Sequence, residues 1–194
     1  SDGETPASSN PVHEAAIGNY NGLLVCSAGN KGVNTDTSPQ YPACYTLSNV
    51  ISVGASTNTD TKASFSNYGA SSVDLFAPGE SIYSTVPGNT YDNYSGTSMA
   101  APYVTGTLAL MMAAKPGMDP LQMKDLLLDS VDTVSNSTIT NYCTSGGRLN
   151  ASEAVSAADN MIAYFPQRFT ADVNGDSRDD IIQIRVFNGK WQFY

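Results

Sequence analysis

The stretch Asn93-Tyr94-Ser95-Gly96-Thr97-Ser98-Met99-Ala100-Ala101-Pro102-Tyr103-Val104 decides how the rest of the chain is read. It sets a small Gly-Thr-Ser turn directly before an apolar run that carries no charge from Met99 to Ala114. Leu108, Leu110, Met111 and Met112 put apolar groups on every side of the helix this run would form, and a helix apolar all round is a buried one. Ser98 then stands where that helix begins, beside unpaired backbone N–H groups and the positive end of the dipole. The plain job for a serine there is an N-cap. The sharper one is a nucleophile on a rigid support, with neighbouring amides aimed at a developing oxyanion.

The surrounding letters favour the second. Gly96 to Val104, with Gly106, fits G-T-S-M-A-x-P-x-V-x-G at every fixed position. The segment resembles the active-site serine motif of the subtilisin-like serine proteases, or subtilases. The resemblance implies an α/β fold, a doubly wound and mostly parallel sheet with helices on both faces, of which residues 1–163 form the C-terminal part. It also implies that Ser98 is the nucleophile and that Thr97 lies against the bound substrate.

Composition sets the outer limits. A 194-residue chain has length for one domain and part of another, and 41% hydrophobic content is enough for a real core. A net charge of −9 argues against nucleic acid, whose backbone is held by Lys and Arg. No apolar run approaches the roughly 18 residues of a membrane span. Ser1-Asp2-Gly3 and the final Tyr194 read as cut ends, so the expectation is a piece of a longer protein, secreted and bacterial. Cys26, Cys44 and Cys143 show no metal-ligand spacing. Cys26 reads as a buried small hydrophobe, and the pairing of the other two stays open.

In chain order, Val12, Ala15, Ala16 and Ile17 predict an amphipathic helix from Pro11 to about Tyr20. Leu23 to Ser27 reads as a short buried strand of the parallel type. It runs into Ser27-Ala28-Gly29-Asn30-Lys31-Gly32, a bend past the strand's C-terminal end, where open α/β sheets place ligands. Any Asn beside Gly can be a turn residue. A-G-N-x-G, however, resembles the subtilase segment that carries the oxyanion-hole asparagine, which implies that Asn30 donates its carboxamide N–H to the tetrahedral intermediate. Gln40-Tyr41-Pro42-Ala43 leads into a second buried strand, Asn49 to Ala55, rich in β-branched residues. By the same resemblance, Tyr41, Pro42 and Ala43 form one wall of the pocket for the side chain before the scissile bond. Cys26, Ser27, Ala28 and Gly29 form the other wall, and Gln40 lies near the base. That lining implies medium to large, uncharged side chains.

Ala63 to Gly69, Val73 to Gly79 and Ile82 to Thr85 follow the family in order and spacing and read as architecture. Asp74 could serve as a catalytic acid but reads as a turn or hydrogen-bonding residue. Helices are expected over Pro120–Ser130, with Leu121, Met123, Leu126 and Leu127 inward, and from Ala151 through Ala163. A triad also needs a general base and a carboxylate to orient it. The family takes these from D-[ST]-G and H-G-T-H motifs upstream of the oxyanion asparagine, and neither occurs here. The only histidine, His13, sits in Pro-Val-His-Glu-Ala and reads as a surface helical residue. The expected partners are a protein or peptide substrate and the missing N-terminal half of the catalytic domain. The isolated chain is expected to lack normal triad activity.

Residues 164–171 read as a linker to a different unit over 172–194. Asp172, Asn174, Asp176, Arg178 and Asp180 occupy loop positions 1, 3, 5, 7 and 9, with the backbone carbonyl serving at position 7, a set suited to Ca²⁺, the plainer alternative being a solvated acidic turn. An EF-hand is excluded by Ser177 at position 6 and Gln183 at position 12. Ile182, Ile184 and Val186 alternate, and Asn188-Gly189 predicts a hairpin before Trp191 and Phe193. The whole resembles the start of an FG-GAP/VCBS repeat. The competing reading is a non-catalytic, calcium-dependent binding protein built on a subtilase-like scaffold.

Overall fold

Val50–Ser56 is buried along its entire length. A strand is that dry only when it has neighbours on both edges and cover on both faces. The computed structural model shows both. It describes residues 9–134, 137–161, 168–171, 180–187 and 190–193, the last three segments as backbone.

The chain opens with helix α1 (Pro11–Gly18), strand β1 (Leu24–Ser27) and the central β2 (Val50–Ser56). There follow β3 (Leu75–Pro78), the hairpin strands β4 (Ile82–Val86) and β5 (Thr90–Tyr94), and the long helix α2 (Thr97–Ala114). Helix α3 (Pro120–Asp129), β6 (Asp132–Thr133), α4 (Ser137–Thr140), β7 (Gly147–Arg148) and α5 (Ala151–Asp159) complete this part. The main sheet runs β1-β2-β3-β7-β6, parallel except for the last pair. In register, Cys26 lies beside Ser52 and Gly54 beside Phe76. A Cβ on Gly54 would come within 2.5 Å of the Phe76 ring, so the large side chain is seated on its neighbour's lack of one.

Two-residue alternation sends the side chains of these strands to opposite faces. On one face Ile17 of α1 clusters with Cys26, Ala43, Tyr45 and Val50. Further along, Ala28, Val73 and Phe76 cluster with Val134, Ile139 and Cys143. On the other face lies α2, where Ala55 and Ala100 meet across Gly79. Helix α5 packs against α2, and α3 against α5.

Several expectations change. Helix α1 ends at Gly18 and buries only Ile17; Val12 is 79% exposed, because the described residues cover only one edge of the helix. Helix α2 is not buried all round. Thr97, Ala100, Val104, Thr107, Leu108 and Met111 form one inward stripe, while Tyr103, Leu110 and Met112 are exposed. One sheet face and one neighbouring helix can cover only one side of a cylinder. In α3, Met123, Leu126 and Leu127 are buried but Leu121 is exposed, since it lies in the first turn beside the Asp119 cap.

Residues 161–194 form a separate unit. Its strands β8 (Arg168–Ala171), β9 (Asp180–Phe187) and β10 (Lys190–Phe193) make an antiparallel sheet in the order β10-β9-β8. The interval expected as a linker therefore contains a strand. Phe169 and Thr170 favour extended backbone, and they pair with Ile182 and Ile181. Lys190 pairs with Phe187, while Asn188-Gly189, expected to form the hairpin turn, lie outside the described residues.

Candidate active site

Helix α2 takes Gly96 as its N-cap, and no side chain caps it. Ser98 is therefore not a cap but the second residue of the helix, exposed at its N-terminal end. The first amides of a helix have no partner within it, so each must find one elsewhere. Gly96 N–H donates to the Gly79 carbonyl at 2.8 Å, and Met99 N–H donates back to Gly96 at 3.0 Å. Thr97 N–H donates to Asn30 Oδ1 at 2.8 Å. Among the described residues, the Ser98 amide is the one in this turn with no acceptor. Four positions on, Pro102 has no N–H to give to the Ser98 carbonyl.

Asn30 follows the β1 strand end and reaches this turn across the sheet. Its Oδ1 also accepts from Thr97 Oγ1 at 2.9 Å, and Thr97 Oγ1 in turn accepts from Gly29 N–H at 3.1 Å. Two donors on the oxygen fix the carboxamide orientation and turn Nδ2 the other way. A Cβ on Gly96 would lie 3.5 Å from that Nδ2 and 3.6 Å from Met99 Sδ. The unsubstituted Gly96 thus leaves room beside the Asn30 donor. What the fold brings together, then, is Asn30, the wholly buried Thr97 and the helix start bearing Ser98.

Beyond Ser98, the helix end and the β4–β5 hairpin enclose a cavity of about 380 Å³, with Tyr83, Tyr94, Ser98, Met99, Pro102 and Tyr103 in its lining.

The residues expected to wall the pocket divide by burial. Ser27 is exposed, and Gly29, Gln40, Tyr41 and Pro42 are half-buried. The Gln40 stem lies beside Gly29, where a Cβ would come 3.7 Å from Gln40 Cγ. Cys26, Ala28 and Ala43, by contrast, direct their side chains into the core, so only their backbone faces outward. Burial pushes the Cys26 thiol up to about 11, with Asp74 and Cys44 adding to the shift, which keeps it neutral. Burial also raises Cys143. All three thiols are free, Cys143 inside the core cluster and Cys44 beside Gln40 N–H at 3.3 Å.

Asp74 is structural. Its Oδ2 accepts from Ser52 N–H at 2.7 Å and its Oδ1 pairs with Lys124 Nζ at 3.5 Å. His13 is exposed on α1, its ring edge-on to Tyr45. Asp172, Asn174, Asp176 and Arg178 lie outside the described residues, and Asp180 is known only as the first residue of β9. Among the described residues no group of three or more His, Cys, Asp or Glu is placed to hold a metal. One residue that sequence reading assigned to architecture belongs to this site. Asn67, fully buried, bonds to the turn on both sides of Asn30. An Asn in a Ser-Asn-Tyr-Gly turn carries no mark in sequence of a bond to a segment 36 residues away.

Known proteins resemble this chain in sequence and in fold. Thermitase of Thermoactinomyces vulgaris is 42% identical over 137 residues, covering 71% of this chain and 45% of thermitase. Subtilisin NAT of Bacillus subtilis subsp. natto is 43% identical over 116 residues, covering 59% of this chain and 30% of that protein. The chain thus spans less than half the length of either relative. A mutant of the protease domain of PatA superposes with a TM-score of 0.66 at 31% identity, covering 80% of this chain and 56% of that one. The model of the subtilase family matches residues 1–157. On that match, together with the α/β sheet and the helix start that carries Ser98, the chain belongs to the subtilase family, peptidase S8.

Proposed function

We propose that this chain supplies the nucleophile and the oxyanion site of a serine endopeptidase. In this reading Ser98 Oγ attacks the carbonyl carbon of the scissile peptide bond. Its proton passes to a general base, which this chain does not provide and which the family places, with its orienting carboxylate, upstream of the oxyanion asparagine. The carbonyl oxygen becomes an oxyanion that receives two hydrogen bonds, from the Ser98 backbone N–H and from Asn30 Nδ2. Collapse of the intermediate breaks the C–N bond as the base returns that proton to the leaving amine, and water then hydrolyses the acyl ester left on Ser98, freeing the new carboxyl end and the serine hydroxyl.

The observation that carries the reading is the open amide of Ser98 beside a carboxamide whose oxygen is already tied to Thr97. Two donors held in advance, in a helix dipole field, are what a developing oxyanion requires. The half-buried Gln40, Tyr41 and Pro42 suit an uncharged, medium to large side chain before the cleaved bond.

The test is turnover of a peptide library by the full-length protein. Ser98→Ala is expected to abolish cleavage. Asn30→Ala is expected to lower kcat by about 10²–10³ with little change in KM, a magnitude that itself comes from a subtilisin and is not a result of this geometry. Fluorophosphonate is expected to label the full-length protein at Ser98 and the isolated chain far more slowly. Labelling of the isolated chain at the full-length rate would remove the need for an external base and refute the reading.

A further inference from the structure

Asn67 is buried completely and makes four hydrogen bonds to the turn that carries Asn30. Its Oδ1 accepts from Lys31 N–H at 3.0 Å and from Val33 N–H at 3.2 Å. Its Nδ2 donates to the Ala28 carbonyl at 2.9 Å, and its own backbone N–H donates to the Gly29 carbonyl at 2.9 Å. Two of these bonds fall before Asn30 and two after it, so the turn is clamped on both sides. The clamp is itself anchored in the core. Ser66 Oγ donates to the Asn67 carbonyl at 2.8 Å and accepts from Ala55 N–H of β2 at 2.9 Å. Contact at the turn is also close: a Cβ on Gly29 would stand 2.4 Å from Asn67 Nδ2, and Gly29 has φ +106°. The Gly at that position therefore serves the carboxamide as well as the backbone.

We propose that Asn67 is a positioning residue for the oxyanion donor, fixing the Ala28–Val33 turn so that Asn30 Nδ2 meets the oxyanion without rearrangement. The inference rests on the reading of Ser98 and Asn30 given above. The chemistry asks for this support. Oxyanion stabilisation comes from donors already in place, and a shift of about 1 Å from a distant change can cost about a hundredfold in rate. No other side chain of this size both donates at one end and accepts twice at the other. Asp keeps the acceptors but sets an oxygen against the Ala28 carbonyl, and Leu keeps only the shape.

The experiment is a double-mutant cycle in the full-length protein, read as kcat and KM on a chromogenic peptide, with thermal unfolding recorded for each variant. Asn67→Ala is expected to lower kcat about 10- to 100-fold at nearly constant KM. In an Asn30→Ala background it is expected to cost less than about twofold further, because the amide it positions is gone. A merely structural role would lower kcat equally in both backgrounds, and that result overturns the proposal. So does a folded Asn67→Ala protein within about threefold of wild-type kcat. If the Ala variant does not fold, Asn67→Asp carries the same test with the same two expected outcomes. Ser98→Ala or Asn30→Ala with unchanged turnover would instead overturn the reading of the active site, whatever Asn67 does.

Discussion

Thr97 shows how much one side chain can organise. Fully buried, it uses its hydroxyl to donate to Asn30 and to accept from Gly29, and its amide also goes to Asn30. Removing the hydroxyl leaves the Gly29 N–H without its acceptor and gives Asn30 Oδ1 one donor in place of two. A half-held carboxamide samples wrong orientations, and only some of them point Nδ2 at substrate. Thr97→Ala is therefore expected to lower kcat about tenfold in the full-length protein, with KM nearly unchanged. Thr97→Ser keeps the hydroxyl and should recover most of the rate, since the lost methyl takes no part in the network. Steady-state kinetics on one peptide substrate checks both, and a Ser variant as slow as the Ala variant would show that packing of the methyl matters more.

Among the elements, α3 shows what holds the scaffold under the site. Asp119 caps it by accepting from Leu121 and Gln122 amides, and Lys124 ties its side to the sheet through Asp74 and the Val50 carbonyl. The Lys124 and Asp74 side chains are 14% and 20% exposed, so the pair is shielded but not dry. Asp74→Asn keeps an acceptor for Ser52 N–H and removes the charge opposite Lys124. Such a change should cost about 1–3 kcal/mol of stability, between the values for surface and buried pairs. The rate per folded molecule should not change, because Asp74 touches none of the reacting groups. A lower urea midpoint with unchanged kcat is the expected result, and a fall in kcat at full folding would return Asp74 to the list of catalytic acids.

Across the whole molecule, the outer side of α2 presents Tyr103, Leu110 and Met112, and β1 stands at the end of its sheet among the described residues. Exposed apolar area of this kind, beside a strand edge, favours self-association. The isolated chain is expected to bind a hydrophobic dye and to elute as assemblies in size-exclusion chromatography. Leu110→Lys together with Met112→Glu should reduce both without altering far-UV circular dichroism. A monomeric, non-binding isolated chain would mean that this face is satisfied on its own.

By itself the sequence determined the family and the parallel strand rhythm, and it marked Ser98 and Asn30 as the candidate nucleophile and oxyanion donor. Those rest on local spacing, and spacing within a motif survives without knowledge of what lies across the sheet. The all-apolar α2 run was misread for the same reason, since periodicity records what a helix could bury and only its neighbours decide what it does bury. Cys26, by contrast, is buried as its apolar run implies, and Ala28, two residues on, packs into the cluster of Val73 and Phe76, a contact that exists only once the loops and strands are assembled. Asn67 was invisible for a further reason. Its partners are in the turn from Ala28 to Val33, and a hydrogen bond between segments that far apart in the chain exists only once β1 and β2 are paired and the loops at their ends are brought face to face.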